Sequence, residues 1–219
     1  MTSHELPRLR VVPHEFTAAD LCGGHVVLDF LNTAAGLNRD PRDWLDGYAR
    51  LVGWAALAGI CGAALRRELI AQDLASPRRG QFALARIRLL RSALYALIHS
   101  IRDGIQPRTV AIEELQRWCR RGGAALQLRW HHDGSLRTSL ESCGLDLIGV
   151  TIARAAVELL SRPLVGQLGV CAGRNCGWLF LDTSKSRRRR WCDMKTCGNA
   201  AKASRHYRRQ RSAAGQPNL

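Results

Sequence analysis

Four cysteines in the last quarter of the chain have the types and spacing to do chemistry. Cys171 and Cys176 are separated by four residues, Cys192 and Cys197 by another four, and fifteen residues join the two pairs. Two matched thiol pairs can close a tetrahedron of thiolates around Zn²⁺. Four sulfurs saturate the ion, so one structural zinc is expected, with no open position for catalysis. Two disulfides or inert thiols are the alternatives. Matched pairs in a chain without an apolar leader favour the metal. His206 could replace a ligand, but a lone histidine in a basic helix is more often solvated or set against phosphate.

The surroundings of the cysteines suggest a partner. From Cys171 onward twelve Lys or Arg face two acids, so +10 of the formal net charge of +15 lies in that stretch. Arg187, Arg188, Arg189, Arg190, Lys195, Lys202, Arg205, Arg208 and Arg209 are the expected nucleic-acid contacts. Guanidinium groups attract a phosphate backbone and can bind phosphate or guanine bidentately. Charge alone does not separate DNA from RNA. Only Trp191 and Tyr207 offer stacking faces in the basic segment, which favours duplex DNA over single strands. The alternative is a non-enzymatic RNA-binding or protein-interaction module with a structural zinc.

Elsewhere the chemistry is sparse. Asp29 and Asn32 fall three apart, on one face of a helix, and are the candidates for a small-molecule pocket. Residues of this kind more often cap helices or satisfy loop backbone. His25 alone is not a site. His131, His132 and Asp133 belong to a turn. Cys22, Cys61, Cys119 and Cys143 are dispersed and read as core or surface residues rather than ligands. Trp44, Trp54, Trp118 and Trp130 read as core anchors. No nucleophile elbow, zinc-protease motif or phosphate-cradling loop occurs, so a non-enzyme is expected.

The elements that must hold these groups can be read from hydrophobic period. The hydrophobic fraction of 46% is ordinary for a chain that builds a core. Residues 1–20 are polar and read as an extended lead-in. Without a long apolar run there or a membrane-length stretch elsewhere, the expected location is cytoplasmic. A short helix around Leu28 is followed by one from Trp44 to Ile60, started by Asp40-Pro41. Further helices are expected from Gly62 to Ala75, and through Phe82 to Ile101 with an end at Gly104. Another opens at Pro107 and is stopped by Gly122-Gly123. Leu126, Leu128 and Trp130 then alternate with polar residues, Asp133-Gly134 turns the chain, and Leu136 and Leu140 return. That pattern is one β-hairpin. Leu145 to Leu160 resumes helical spacing.

In the cysteine module, Gly173 and Gly177 supply turn freedom. Trp178 to Leu181 forms a short strand, and Cys197 opens a basic helix. The expected fold is mainly α. Residues 1–165 form a helical regulatory or sensor domain with one β-hairpin, and residues 166–219 form a small four-cysteine zinc-finger module. A module of that size has little core, so metal would supply much of its folding energy.

This module resembles the CGNR zinc finger. The residues that carry the likeness are Cys171, Cys176-Gly177-Trp178-Leu179-Phe180-Leu181-Asp182, Ser184, Ser186, Arg190-Trp191-Cys192-Asp193-Met194, Cys197-Gly198-Asn199 and Lys202. Ala200 stands where the family name has Arg, so a contact made there in relatives would pass to Lys202 or Arg205. Leu28-Asp29-Phe30-Leu31-Asn32-Thr33, Asp43-Trp44-Leu45 and Ala155-Ala156-Val157-Glu158-Leu159-Leu160 are similar to the helical domain that accompanies this finger in bacterial proteins. The resemblance implies a transcription regulator, in some relatives linked to stress, that would be nucleoid-associated when bound to DNA. The division of charge adds an expectation that the helical part regulates the finger, as a homodimer or by sensing a small-molecule effector.

Overall fold

A computed structural model describes residues 4–164 and 166–214, without the side chains at 141, 142, 208, 209 and 212–214. The lead-in contributes strand β1 (Arg10–Val11) and a 3₁₀ turn, Ala18–Asp20. Helix α1 (Val26–Leu31) follows, with His25 Nδ1 accepting from the Val27 N–H as its cap. Strands β2 (Ala34–Ala35) and β3 (Arg42–Asp43) come next, then α2 (Tyr48–Leu57), α3 (Ala63–Ala75), α4 (Pro77–Arg102) and α5 (Thr109–Ala125). Strands β4 (Gln127–Trp130) and β5 (Leu136–Ser139) form the expected hairpin, with Trp130 opposite Leu136 and Leu128 opposite Thr138. Helix α6 (Leu147–Leu160) closes the helical body, and β6 (Leu168–Val170), β7 (Leu179–Leu181) and α7 (Asn199–Ala214) belong to the cysteine module.

Helix α4 is the axis of the body. Ile87, Leu90, Leu94 and Ile98 recur at three- and four-residue intervals and are all fully buried. Phe30, Trp54, Trp118, Ile148 and Ile152 pack into the same core. Inside this apolar layer buried Asp43 pairs with two arginines of α4. Arg91 Nη1 and Nη2 donate to Asp43 Oδ1 and Oδ2 at 2.9 and 2.7 Å, and Nη1 also reaches Thr33 Oγ1 at 2.8 Å. The Leu45 N–H donates to Asp43 Oδ1 at 3.0 Å, and Arg88 Nε stands 3.0 Å from Oδ2. Burial pushes the Asp43 carboxyl up, but Arg91, the Leu45 N–H and Arg88 together outweigh it and leave the group below the usual carboxylate range. The network ties α4 to the β3 segment at its buried end.

Several expectations change. The helix expected from Trp44 begins at Tyr48, because residues 42–43 are held as a strand between β1 and β2. A three-stranded sheet of two-residue strands has no alternation long enough to read. Helix α5 runs on through Gly122-Gly123. Its Gly122 lies against α6, where a Cβ would meet Val150 Cγ1 at 2.8 Å, so this glycine allows close packing instead of a stop. Of the four expected core tryptophans, Trp54 and Trp118 are buried and Trp44 is half-buried, but Trp130 is 71% exposed on the hairpin. The hairpin stands off the body, so its apolar face meets no core. Among the described residues no helix is long and apolar enough to cross a membrane.

Candidate zinc centre and nucleic-acid interface

The four cysteines converge. Cys171, Cys176, Cys192 and Cys197 place their sulfurs within 4.8 Å of one another. Cys176–Cys192 and Cys192–Cys197 are each 3.7 Å between sulfurs. A tetrahedron with Zn–S of about 2.3 Å requires sulfurs about 3.8 Å apart. The donor set and its spacing therefore fit one structural zinc ion. Thiols packed this closely act strongly on one another: hydrogen bonds from Cys171, Cys176 and Cys22 drive the Cys192 thiol far down, and bonds with Cys171 and Cys192 drive Cys176 far up. A divalent ion at the centre lets all four ligate as thiolates.

Local structure explains how each ligand is held. The Cys171 sulfur accepts from the Gly173 N–H at 3.4 Å, a bond that orients the thiolate. Gly177 has φ +80°, and a Cβ there would meet Asn38 Oδ1 and Leu37 Cβ at 2.9 Å each. Only glycine suits both the left-handed backbone and the close approach. At the second pair, Asp193 caps a π-helical turn, Met194–Gly198, by accepting from the Thr196 N–H at 2.9 Å. That turn carries Cys197 and runs directly into α7, as the order of the sequence implied. Cys22 packs against the cluster as a fifth cysteine from the helical part, outside the four-sulfur group.

The module is docked on the body by backbone-directed bonds. Asn32 Nδ2 donates to the Leu179 carbonyl at 2.9 Å, and the Leu179 N–H donates to Asn32 Oδ1 at 2.8 Å. The side-chain amide thus acts as one more strand on the outer edge of β7, whose inner edge pairs with β6. Two residues further along the strand, the Leu181 N–H donates to the Gly23 carbonyl at 2.8 Å. Asn38 Nδ2 donates to the carbonyls of Cys171 and Gly173, at 3.2 and 2.7 Å, and the Leu37 N–H donates to the Cys176 carbonyl at 2.8 Å. Trp44 and Trp178 meet edge to face, 5.5 Å between ring centres. Leu168 and Leu179 share the core of the body.

Asp29 and Asn32, the pocket candidates, are thereby placed. Asn32 is buried and spends both amide groups on Leu179. Asp29 Oδ1 accepts from the Gly23 N–H at 2.8 Å, and burial raises its carboxyl to about 6. Asn38, which grips the first cysteine pair, was missed in the sequence. A lone asparagine in a loop carries no periodic signal.

The basic residues divide into two kinds. Arg189 Nε donates to the Trp191 carbonyl at 2.9 Å, and its Nη atoms reach the carbonyls of Leu181, Cys22 and Cys192. Its guanidinium lies 4.5 Å from the centre of the Phe180 ring. This arginine holds the finger together and ties it to the body, a task its neighbours in the run do not share. Asp182 supports it: bonds from Ser184 and the Arg189 N–H keep its carboxyl below the usual range and shape the loop. Arg187, Arg188, Arg190, Lys195, Lys202 and Arg205 are all exposed. Arg208 and Arg209 fall in α7, with side chains outside the described residues. Arg174, Arg190 and Arg205 line an open groove of about 960 Å³ between the first cysteine pair and α7, together with Asn175, Trp191 and Ala200. Arg174 is an addition to the residues named from sequence. Ala200, where the finger's name has Arg, lies in this groove with Arg205.

Comparison with known proteins agrees with this architecture. The CGNR zinc finger model matches residues 167–210. A search of curated proteins found no match. The model of the ABATE family, described as "Putative stress-induced transcription regulator", matches residues 24–163, the whole body from the loop before α1 to the end of α6. With its body matched over that length and its zinc centre built as the finger requires, the chain belongs to the ABATE family.

Proposed function

We propose that this protein is a non-enzymatic transcription regulator that binds duplex DNA through the arginine-lined groove beside its zinc centre. The observation that carries the reading is the groove itself. Arg174, Arg190 and Arg205 converge on one concave surface next to the cysteine cluster, and Arg187, Arg188, Lys195 and Lys202 are exposed in the same module. Helix α7 has sixteen residues, about 24 Å at 1.5 Å per residue, long enough to lie along a groove. Arg208 and Arg209 on the same helix complete the proposed contacts. Phosphate contacts set position, and the side chains of α7 that face base edges carry specificity.

The body regulates the finger in this reading, by homodimerising or by taking a small-molecule effector. A single small module buries only about 600–1,000 Å² on DNA, which favours a dimer for tight binding. The exposed Leu126, Leu128, Trp130 and Leu136 of the β4–β5 hairpin supply unspent apolar surface. The bonds from Asn32 and Asn38 are the mechanical route from body to finger.

Titration of the full chain against duplex DNA and single-stranded RNA at several salt concentrations tests the reading. Duplex affinity should fall steeply with salt, with a slope set by the number of phosphates neutralised. Salt-independent binding, or tighter binding to RNA, overturns it. Light scattering of the complex gives its stoichiometry, and a strictly monomeric complex removes the dimer.

A further inference from the structure

The C-terminal end of α4 and the lead-in bring together three side chains that the zinc centre and the arginine groove do not use. His99, in the last turn of α4, is 8% exposed, and its Nε2 is buried with no hydrogen-bond partner. The Nε2 of His4 is also buried and unpartnered. It stands 3.7 Å from Oδ2 of Asp103, too far for a hydrogen bond. One ligand atom from each of the three residues lies within 4.8 Å of the others. Buried polar atoms almost always find a partner, so two bare ring nitrogens facing one carboxylate call for an explanation.

We propose that His4, His99 and Asp103 form a second metal site, for a late first-row divalent cation such as Zn²⁺. The donor set is two imidazole nitrogens and one carboxylate oxygen, which suits Zn²⁺, Co²⁺ or Ni²⁺ and not the oxygen-seeking Mg²⁺ or Ca²⁺. Three protein ligands leave a fourth position for water. The neighbours prepare the ligands. Arg102 Nε donates to Asp103 Oδ1 at 2.6 Å, which fixes that oxygen and leaves Oδ2 toward His4. The Tyr95 ring packs 4.2 Å from the His99 ring and holds its orientation. The carbonyl end of a 26-residue helix favours a cation. An ion pair between Glu5 and Arg108 holds the lead-in beside the site. Metal binding there fastens residue 4 to the end of α4, independently of whether the finger binds DNA.

The zinc-loaded full chain, titrated with Co²⁺, tests this. It should take up about one further equivalent, with visible bands that lack sulfur-to-metal charge transfer. His4→Ala should abolish that uptake and Asp103→Asn should weaken it at least tenfold, while the zinc content at the cysteines stays unchanged. His4 is half-buried and Asp103 exposed, so neither variant threatens the core as His99→Ala would. A protein with residues His131 and His132 changed to Ala should bind as the parent does. No further uptake by the parent, or uptake that survives in both His4→Ala and Asp103→Asn, overturns the proposal.

Discussion

The helical body and the cysteine module bury different materials. In the body Trp54, Trp118, Phe30 and rows of Leu and Ile surround α4, and one arginine, Arg91, is buried with its carboxylate. In the module's own cluster the buried residues are Phe180 and three cysteines. The body has enough apolar area to fold on the hydrophobic effect. The module does not, and it borrows twice: from a metal, and from the edge of the body through Asn32, Asn38 and the shared Leu168 and Leu179. Such borrowing makes the finger's order conditional on its neighbour, a property an independent zinc finger would lack.

The largest test of this contrast is loss of a ligand. Cys192→Ser should abolish zinc binding, measured by metal analysis, and forfeit on the order of 10 kcal/mol of metal-linked folding energy in the module. Far-UV circular dichroism should keep most of its helical signal, because α2 to α6 do not depend on the metal. Complete unfolding would show that body and finger are one cooperative unit. The reciprocal test is in the body. Arg91→Ala removes the bidentate partner of buried Asp43 and leaves it only Arg88 and the Leu45 N–H, and should cost about 3 kcal/mol in urea denaturation. The pH dependence follows from the depressed carboxyl of Asp43. Its contribution to stability is present above its unfolded pKa of about 4 and lost as pH falls through the lower folded value. Arg91→Ala should therefore flatten the acid limb of the stability curve.

The junction comes next in size. Asn32→Ala leaves the Leu179 N–H and carbonyl buried without partners, and should cost about 2–4 kcal/mol. Hydrogen exchange at Leu179 and Leu181 should quicken while α4 stays protected. Unchanged exchange at β7 would mean that the finger holds its own edge. The smallest effects separate two adjacent arginines. Arg189→Ala should lower the thermal stability of the finger, by about 1–2 kcal/mol, with little change in the salt dependence of the proposed DNA binding. Arg188→Ala should leave stability within about 0.5 kcal/mol and reduce the salt slope by about 1. The same response from both would erase the distinction drawn between them.

Long periodic elements and the metal centre were legible in the sequence. Ile87, Leu90, Leu94 and Ile98 announce α4, and two equal cysteine gaps announce the zinc site, because regular spacing and thiol chemistry are local properties of a chain. The likeness to the finger and to its helical companion was legible in short runs of residues for the same reason. What tertiary structure alone decided is which polar groups meet across long separations. Asn32 and Leu179 are 147 residues apart, and no local pattern could pair an amide with that backbone. The same holds for Asp43 with Arg91, for Arg189 turned back onto Cys22, and for His4 brought to His99. A two-residue strand or a lone asparagine has no period, so its role exists only once distant segments have been packed together.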